Sequence, residues 1–229
     1  MQNPSKQGKL IVIEGLDGSG KATQTALLAQ NLQRDGHPLL QVSFPSYGQP
    51  AAGALEEYLS GAYGQKPEDV GAYAASTFFA VDRFASFRKS WGAHYRQGGL
   101  VLCDRYTTSN ALHQLAKLPP PQWQPYLDWL CDLEFCKMQI PAPDLVLYLD
   151  MDPAVSQQLM DRRYAGGGHR DIHEQDVAYL THCRRAADFC IQKLGWHKIR
   201  CSSATEPYPI EQIAGEIYRK VCEEIISIC

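Results

Sequence analysis

The pattern with the clearest chemistry is Gly15-Leu16-Asp17-Gly18-Ser19-Gly20-Lys21-Ala22-Thr23. Its glycines allow a tight turn that aims several backbone N–H groups at one point. A helix opening at Lys21 adds the positive end of its dipole. Lys21 supplies a mobile charge for β- and γ-phosphates. The spacing is that of a nucleotide phosphate loop, GxxxxGK[ST], in the context that loop requires: after an apolar run and before a helical one. The expected ATP-binding residues are Gly15, Gly18, Ser19, Gly20, Lys21, Ala22 and Thr23. One position departs from the pattern. Ala22 offers no hydroxyl to Mg²⁺, and Thr23, one place later, points about 100° away on a helix. Mg²⁺ is then expected to rest on phosphates, water and carboxylates.

Four further groups have chemistry-bearing residues at suggestive spacing. Asp104-Arg105-Tyr106 ends an apolar run. Phe44-Pro45-Ser46-Tyr47 ends another. Phe79 and Arg83 stand four apart on a long helical stretch and share one face. Arg162-Arg163 and Arg170 flank Gly166-Gly167-Gly168. Each has a plainer reading: Phe78, Phe79 and Phe84 as core, Asp82-Arg83 as a solvated helix face, Asp104-Arg105 as a structural ion pair, Arg162-Arg163 as surface charge. His169 and His173 are spaced like metal ligands, but no cysteine pair supports them, and they are not read as a metal site.

The elements that must position these residues follow from periodicity. Short continuous apolar runs at Lys9–Glu14, Pro38–Phe44, Gly99–Asp104, Leu145–Asp150 and His197–Cys201 read as buried strands. Helical patterns lie between them: 21–35, 51–60, 67–97 with a break near 90–92, 109–117, a segment to about 138, one opened by Asp152-Pro153, 173–194 and 210–228. Strands apolar on both faces suit a parallel sheet covered by helices on each side. The expectation is a three-layer α/β fold with a five-stranded parallel sheet, and one domain over residues 1–229.

Composition narrows the partners. The 229 residues include 22 basic and 25 acidic side chains, a net charge of −3. That argues against a polyanion binder, so no nucleic-acid polymer is expected, though a local pocket for small anions is compatible with it. The start, Met1–Lys9, is polar and lacks the apolar stretch of a signal peptide. No apolar run approaches the ~20 residues of a membrane span. The eight cysteines form no CxxC pair and read as free thiols in a reducing, cytoplasmic setting.

Taken in order, GLDGSGK, Phe44-Pro45, Phe79-Ala80-Val81-Asp82-Arg83, Asp104-Arg105-Tyr106 and Leu149-Asp150 resemble the thymidylate kinase family over nearly the whole chain. The resemblance implies a P-loop kinase fold with a flexible lid at about 160–173, transfer of phosphate from ATP to dTMP, Mg²⁺ as cofactor, and a homodimer. It implies that Asp17 holds the sugar 3′-hydroxyl, Phe79 stacks on thymine, Arg83 bonds the base, and Asn110 contacts it. Arg105 and Tyr47 would meet the acceptor phosphate, and Asp104 would organise Mg²⁺ through water. Catalytic charge would come from Lys21, Arg105 and the lid arginines Arg162, Arg163 and Arg170, which place the chain in the type that carries arginine in the lid. Ser46 and His113 depart from the family: some members carry Arg at the first position and others often have Tyr or Phe, beside the sugar, at the second. Another nucleoside or nucleoside-monophosphate kinase, or a non-catalytic nucleotide binder, remains as the alternative.

Overall fold

The structure is a computed structural model and describes residues 7–164 and 177–228. In chain order it contains β1 (Lys9–Gly15), α1 (Lys21–Arg34), β2 (Leu39–Ser43), α2 (Gly53–Leu59), α3 (Ala72–Ser86), α4 (Gly92–Arg96) and β3 (Leu100–Asp104). There follow α5 (Thr107–Leu115), α6 (Trp123–Cys131), β4 (Leu145–Asp150), α7 (Pro153–Tyr164), α8 (Val177–Leu194), β5 (His197–Arg200) and α9 (Ile210–Glu224). The strands pair in the order β2-β3-β1-β4-β5, every pair parallel. This is the three-layer α/β architecture expected from the apolar runs.

The reason lies in β1. Leu10, Ile11, Val12 and Ile13 are all completely buried, and alternate residues serve different cores. Leu10 and Val12 pack with Trp91, Tyr106, Leu112 and Tyr126. Ile11 and Ile13 pack with Leu28 and Leu32 of α1 and Ile217 of α9. A strand with period-two side chains and no polar face must be covered on both sides. Burial of each Leu or Ile contributes roughly 1.5–3 kcal/mol.

Three expectations need correction. The break near 90–92 is a π-helical segment, Phe87–Trp91, that joins α3 to α4 without stopping the helix. Helix α5 starts at Thr107, two residues earlier than its pattern suggested. The helix expected to reach Met138 gives way to a second π segment, Asp132–Lys137. In a π turn each N–H reaches back five residues instead of four, as Met138 N–H does to the Leu133 carbonyl at 2.9 Å, so the period-3.6 pattern slips. Gly166–Gly168, His169, Arg170 and His173 lie outside the described residues. No described helix is long and apolar enough to cross a membrane. Cys103, Cys183, Cys190 and Cys201 are buried free thiols.

Candidate active site

The order of the parallel strands decides where the site sits. β1 lies between β3 and β4, so the phosphate loop that leaves β1 stands beside the carboxyl end of β3. The register pairs Ile13 with Asp104, one residue before Arg105. A cleft of about 570 Å³ opens there, within the range of small-molecule sites. It brings together Asp17, Gly18, Gly20, Lys21, Ala22, Thr23, Tyr47, Phe79, Arg83, Asp104, Arg105, Asn110 and His113. Gly15 and Ser19 lie on the buried underside of the same loop. The side chains of Arg162 and Arg163, and all of Arg170, fall outside what the structure describes. Leu159 and Met160, three and two residues before Arg162 on α7, do line the cleft.

At one end is the loop. Gly18 has φ 77°, and a Cβ there would come within 2.5 Å of the Ser156 hydroxyl. That same hydroxyl donates to the Asp17 carbonyl and pins the loop to α7. Gly20 has φ 89° and leads into α1 with no side-chain cap. The first-turn N–H groups of α1 therefore face the loop as an anion site. Lys21 curls back: its Nζ donates to the Gly15 carbonyl at 2.7 Å and the Leu16 carbonyl at 2.9 Å, and stands 3.8 Å from Asp17. Burial lowers its pKa, aided by the charge of Arg105 and opposed by Asp17, Glu14 and Asp104. The lysine is thus a buried cation held by neutral carbonyls, open to better compensation. Ala22 and Thr23 are exposed at the cleft mouth.

In the middle stands Arg105. Its guanidinium pairs with Asp17, lies 3.8 Å from Glu14 and donates to the Ser109 hydroxyl at 3.4 Å. The structural ion pair considered between Asp104 and Arg105 gives way to pairs with Asp17 and Glu14. Glu14 was missed in the sequence. It is completely buried and accepts from the Gly15 N–H at 2.8 Å, the Thr108 hydroxyl at 2.6 Å and the Ser109 hydroxyl at 2.8 Å. A lone acid inside an otherwise apolar strand was the signal available. His113 is buried, with its ring stacked on Tyr179 and its Nδ1 3.7 Å from the Cys183 thiol. Burial, then the charge of Arg105, push its pKa down to about 3, so the ring is neutral near pH 7.

At the far end is a recess. Half-buried Phe79 lines it and meets Tyr58 edge to face at 6.1 Å. Asn110 is tied at one end, its Nδ2 donating to the Ser76 carbonyl at 3.2 Å. Gln114, also overlooked in the sequence, lines the cleft while fully buried, and neither end of its amide has a hydrogen-bond partner among the described residues. Arg83 is not on a solvated helix face: it is 1% exposed. Its Nε and Nη2 donate to Glu134 at 2.7 and 2.6 Å, and its Nη1 to the Tyr106 carbonyl at 3.4 Å. Burial opposes its charge, but Glu134 outweighs that and leaves its pKa raised. Its neighbour Asp82 accepts the Ser46 N–H at 2.9 Å and so fixes the segment that carries Tyr47. Tyr47 itself is 63% exposed at the rim.

The arrangement brings a phosphate loop, the Arg105 cation and the aromatic ring of Phe79 to one cleft. The family model described as thymidylate kinase matches residues 13–207. The thymidylate kinase of Mycobacterium tuberculosis is 35% identical over 163 residues, which is 71% of this chain and 73% of that protein. The thymidylate kinase of Arabidopsis thaliana is 29% identical over 225 residues, covering 96% and 73%. A solved structure of thymidylate kinase from Candida albicans superposes with a TM-score of 0.68 at 22% identity, covering 94% of this chain and 91% of that one, and so shares the fold.

Proposed function

The chain belongs to the thymidylate kinase family, and on that premise we propose that it moves the γ-phosphoryl of ATP onto the phosphate of dTMP, giving ADP and dTDP. The observation that carries the reading is one cleft lined by the phosphate loop, by Arg105 and by the Phe79–Arg83 helix face, with Arg105 paired to Asp17 of the loop. Phosphoryl transfer asks a protein mainly for positioning and charge. In this reading the loop from Gly15 to Thr23 cradles ATP and Lys21 leaves its carbonyl partners for the phosphates. Arg105 holds the acceptor phosphate near Tyr47, and Asp17 takes the sugar hydroxyl. Phe79 stacks on the base, Arg83 and Asn110 bond its edge, and neutral His113 borders the sugar. Arg162, Arg163 and Arg170 are the arginines proposed to supply charge to the transferring group.

The residues present suit Mg²⁺. Asp104 lines the cleft beside the loop, and a carboxylate with phosphate and water oxygens is the hard donor set this ion takes. Bound there with Asp104 reaching it through water, the ion would neutralise charge on the phosphates. We further infer one domain, a cytoplasmic location and a homodimer. Buried free thiols support the second. The third is supported by α3, which exposes Tyr73, Val81 and Phe84 at 42, 48 and 38%, a helix face suited to a second copy.

The test is ADP release with dTMP, dUMP, dCMP, dGMP and thymidine as acceptors. The expected result is a kcat/KM for dTMP above that for dUMP by about tenfold or more, the range one methyl group supplies. Preference for another acceptor would favour the alternative kinase reading that Ser46 and His113 suggest. ATP binding without turnover would leave a nucleotide-binding protein.

A further inference from the structure

We propose that Glu134 is the positioning residue for acceptor recognition: it fixes the plane of the Arg83 guanidinium and cancels its charge, so that Arg83 reads a neutral base edge and not a phosphate. The inference rests on the reading of Arg83 as a base contact.

The geometry is a two-point fork. Nε and Nη2 of Arg83 meet separate oxygens of one carboxylate at 2.7 and 2.6 Å. Two parallel bonds fix both the distance and the rotation of a planar group. With the Nε–Nη2 side occupied and Nη1 donating weakly to the Tyr106 carbonyl at 3.4 Å, the second N–H of Nη1 and that of Nη2 are what Arg83 has left to meet a ligand in the cleft that it lines. Both partners are effectively sealed from water, at 1% and 0% exposure. A cation matched in this way has little net field to offer a phosphate, yet its remaining N–H groups are still oriented donors for a carbonyl oxygen. Discrimination between bases depends on such oriented donors.

The same carboxylate also holds the opposite wall. Its Oε2 accepts from the Thr107 hydroxyl at 2.7 Å, in the first turn of α5. That helix carries Asn110 and His113. One side chain therefore locks α3 and α5 in register across the recess. It reaches this place from the π segment Asp132–Lys137, and π turns are frequent at functional sites.

The test is Glu134→Gln, which keeps the shape but gives up the charge and one acceptor oxygen. It is assayed with the acceptor that the unaltered enzyme prefers, so the acceptor panel reports on the proposed function and this variant on Glu134. The expected result is a KM for that acceptor raised by about tenfold or more, with the KM for ATP within about twofold. In an Arg83→Gln background the Glu134→Gln change should raise the acceptor KM by clearly less than it does alone, because most of its effect passes through Arg83 and only the contact to Thr107 remains. A lowered melting temperature with an unchanged acceptor KM would show a merely structural role and overturn the proposal. So would multiplying effects in the double variant. If Glu134→Gln does not fold, Glu134→Asp keeps the charge but shortens the reach. A raised acceptor KM in that variant supports the proposal, and an unchanged one overturns it.

Discussion

At the phosphate-loop end of the cleft Lys21 donates to the carbonyls of Gly15 and Leu16; at the recess end Arg83 donates to Glu134. Both cations are buried, yet their pKa values move in opposite directions, Lys21 down and Arg83 up. The desolvation is common to both, so the neighbouring charges decide the sign: Arg105 repels charge on Lys21, and Glu134 supports it on Arg83. Two neutral carbonyls and a carboxylate at 3.8 Å do not repair the loss of water around Lys21. A bidentate carboxylate does repair it around Arg83. The donor end holds a cation in want of an anion, and the recess end holds one already matched. A site that must take up phosphate needs the first; a site that must recognise an uncharged ring needs the second.

Three experiments probe that contrast. Lys21→Ala should lower the transfer rate by roughly 10²–10³-fold, while changing the free energy of unfolding by no more than about 3 kcal/mol, since the two charge-assisted hydrogen bonds and the contact to Asp17 are lost together with the cost of burying the ammonium. Single-turnover rates and denaturant melts check both halves. Near-normal transfer would show that the lysine is not the phosphate's charge. Arg83→Ala should behave in the reverse manner. It strands Glu134 in the interior, so stability should fall by about 3–5 kcal/mol. Among folded molecules the acceptor KM should rise roughly tenfold or more while the ATP KM moves little. An equal rise in both constants would break the division between the two ends.

The third and smallest effect concerns His113, which lies between them. Its folded pKa of about 3 is below the ordinary 6.5. Between those values the unfolded chain binds a proton that the folded chain does not. Stability therefore falls as pH drops through 6.5 toward 3, by about 1.4 kcal/mol per unit. Relative to His113→Phe, the unaltered protein should lose about 2–3 kcal/mol between pH 7 and pH 4.5. Equal losses in the two proteins would place that proton elsewhere.

The parts of this molecule that are legible in the sequence are those whose physics is local. The strand, glycine turn and helix from Lys9 to Arg34 declare themselves because apolar runs, backbone freedom and the lysine fall within one window. Phe79 and Arg83 are legible as one helix face for the same reason. Their environment is not. Glu134 is 51 residues from Arg83 and sits where a π segment upsets the helical period, so no pattern could pair them. Gln114 looks like an ordinary helical polar residue, and only the packing around α5 shows its amide to be buried and unmatched. Asp17 and Arg105 were each expected at the site, but their ion pair across 88 residues follows from the strand order and not from spacing.

One backbone angle bears on all of this. Arg105 leaves the end of β3 with φ 64°, a left-handed conformation that disfavours a side chain by roughly 1–2 kcal/mol and that glycine adopts freely. Its N–H is anchored on the Ile13 carbonyl at 3.1 Å, and its own carbonyl accepts from the Cys103 thiol at 2.8 Å. The arginine at the centre of the cleft is thus held against its local preference by β1 and β3, and the rigidity of those strands is what aims it. At this position around the cleft, fitness for folding and fitness for chemistry ask for different amino acids.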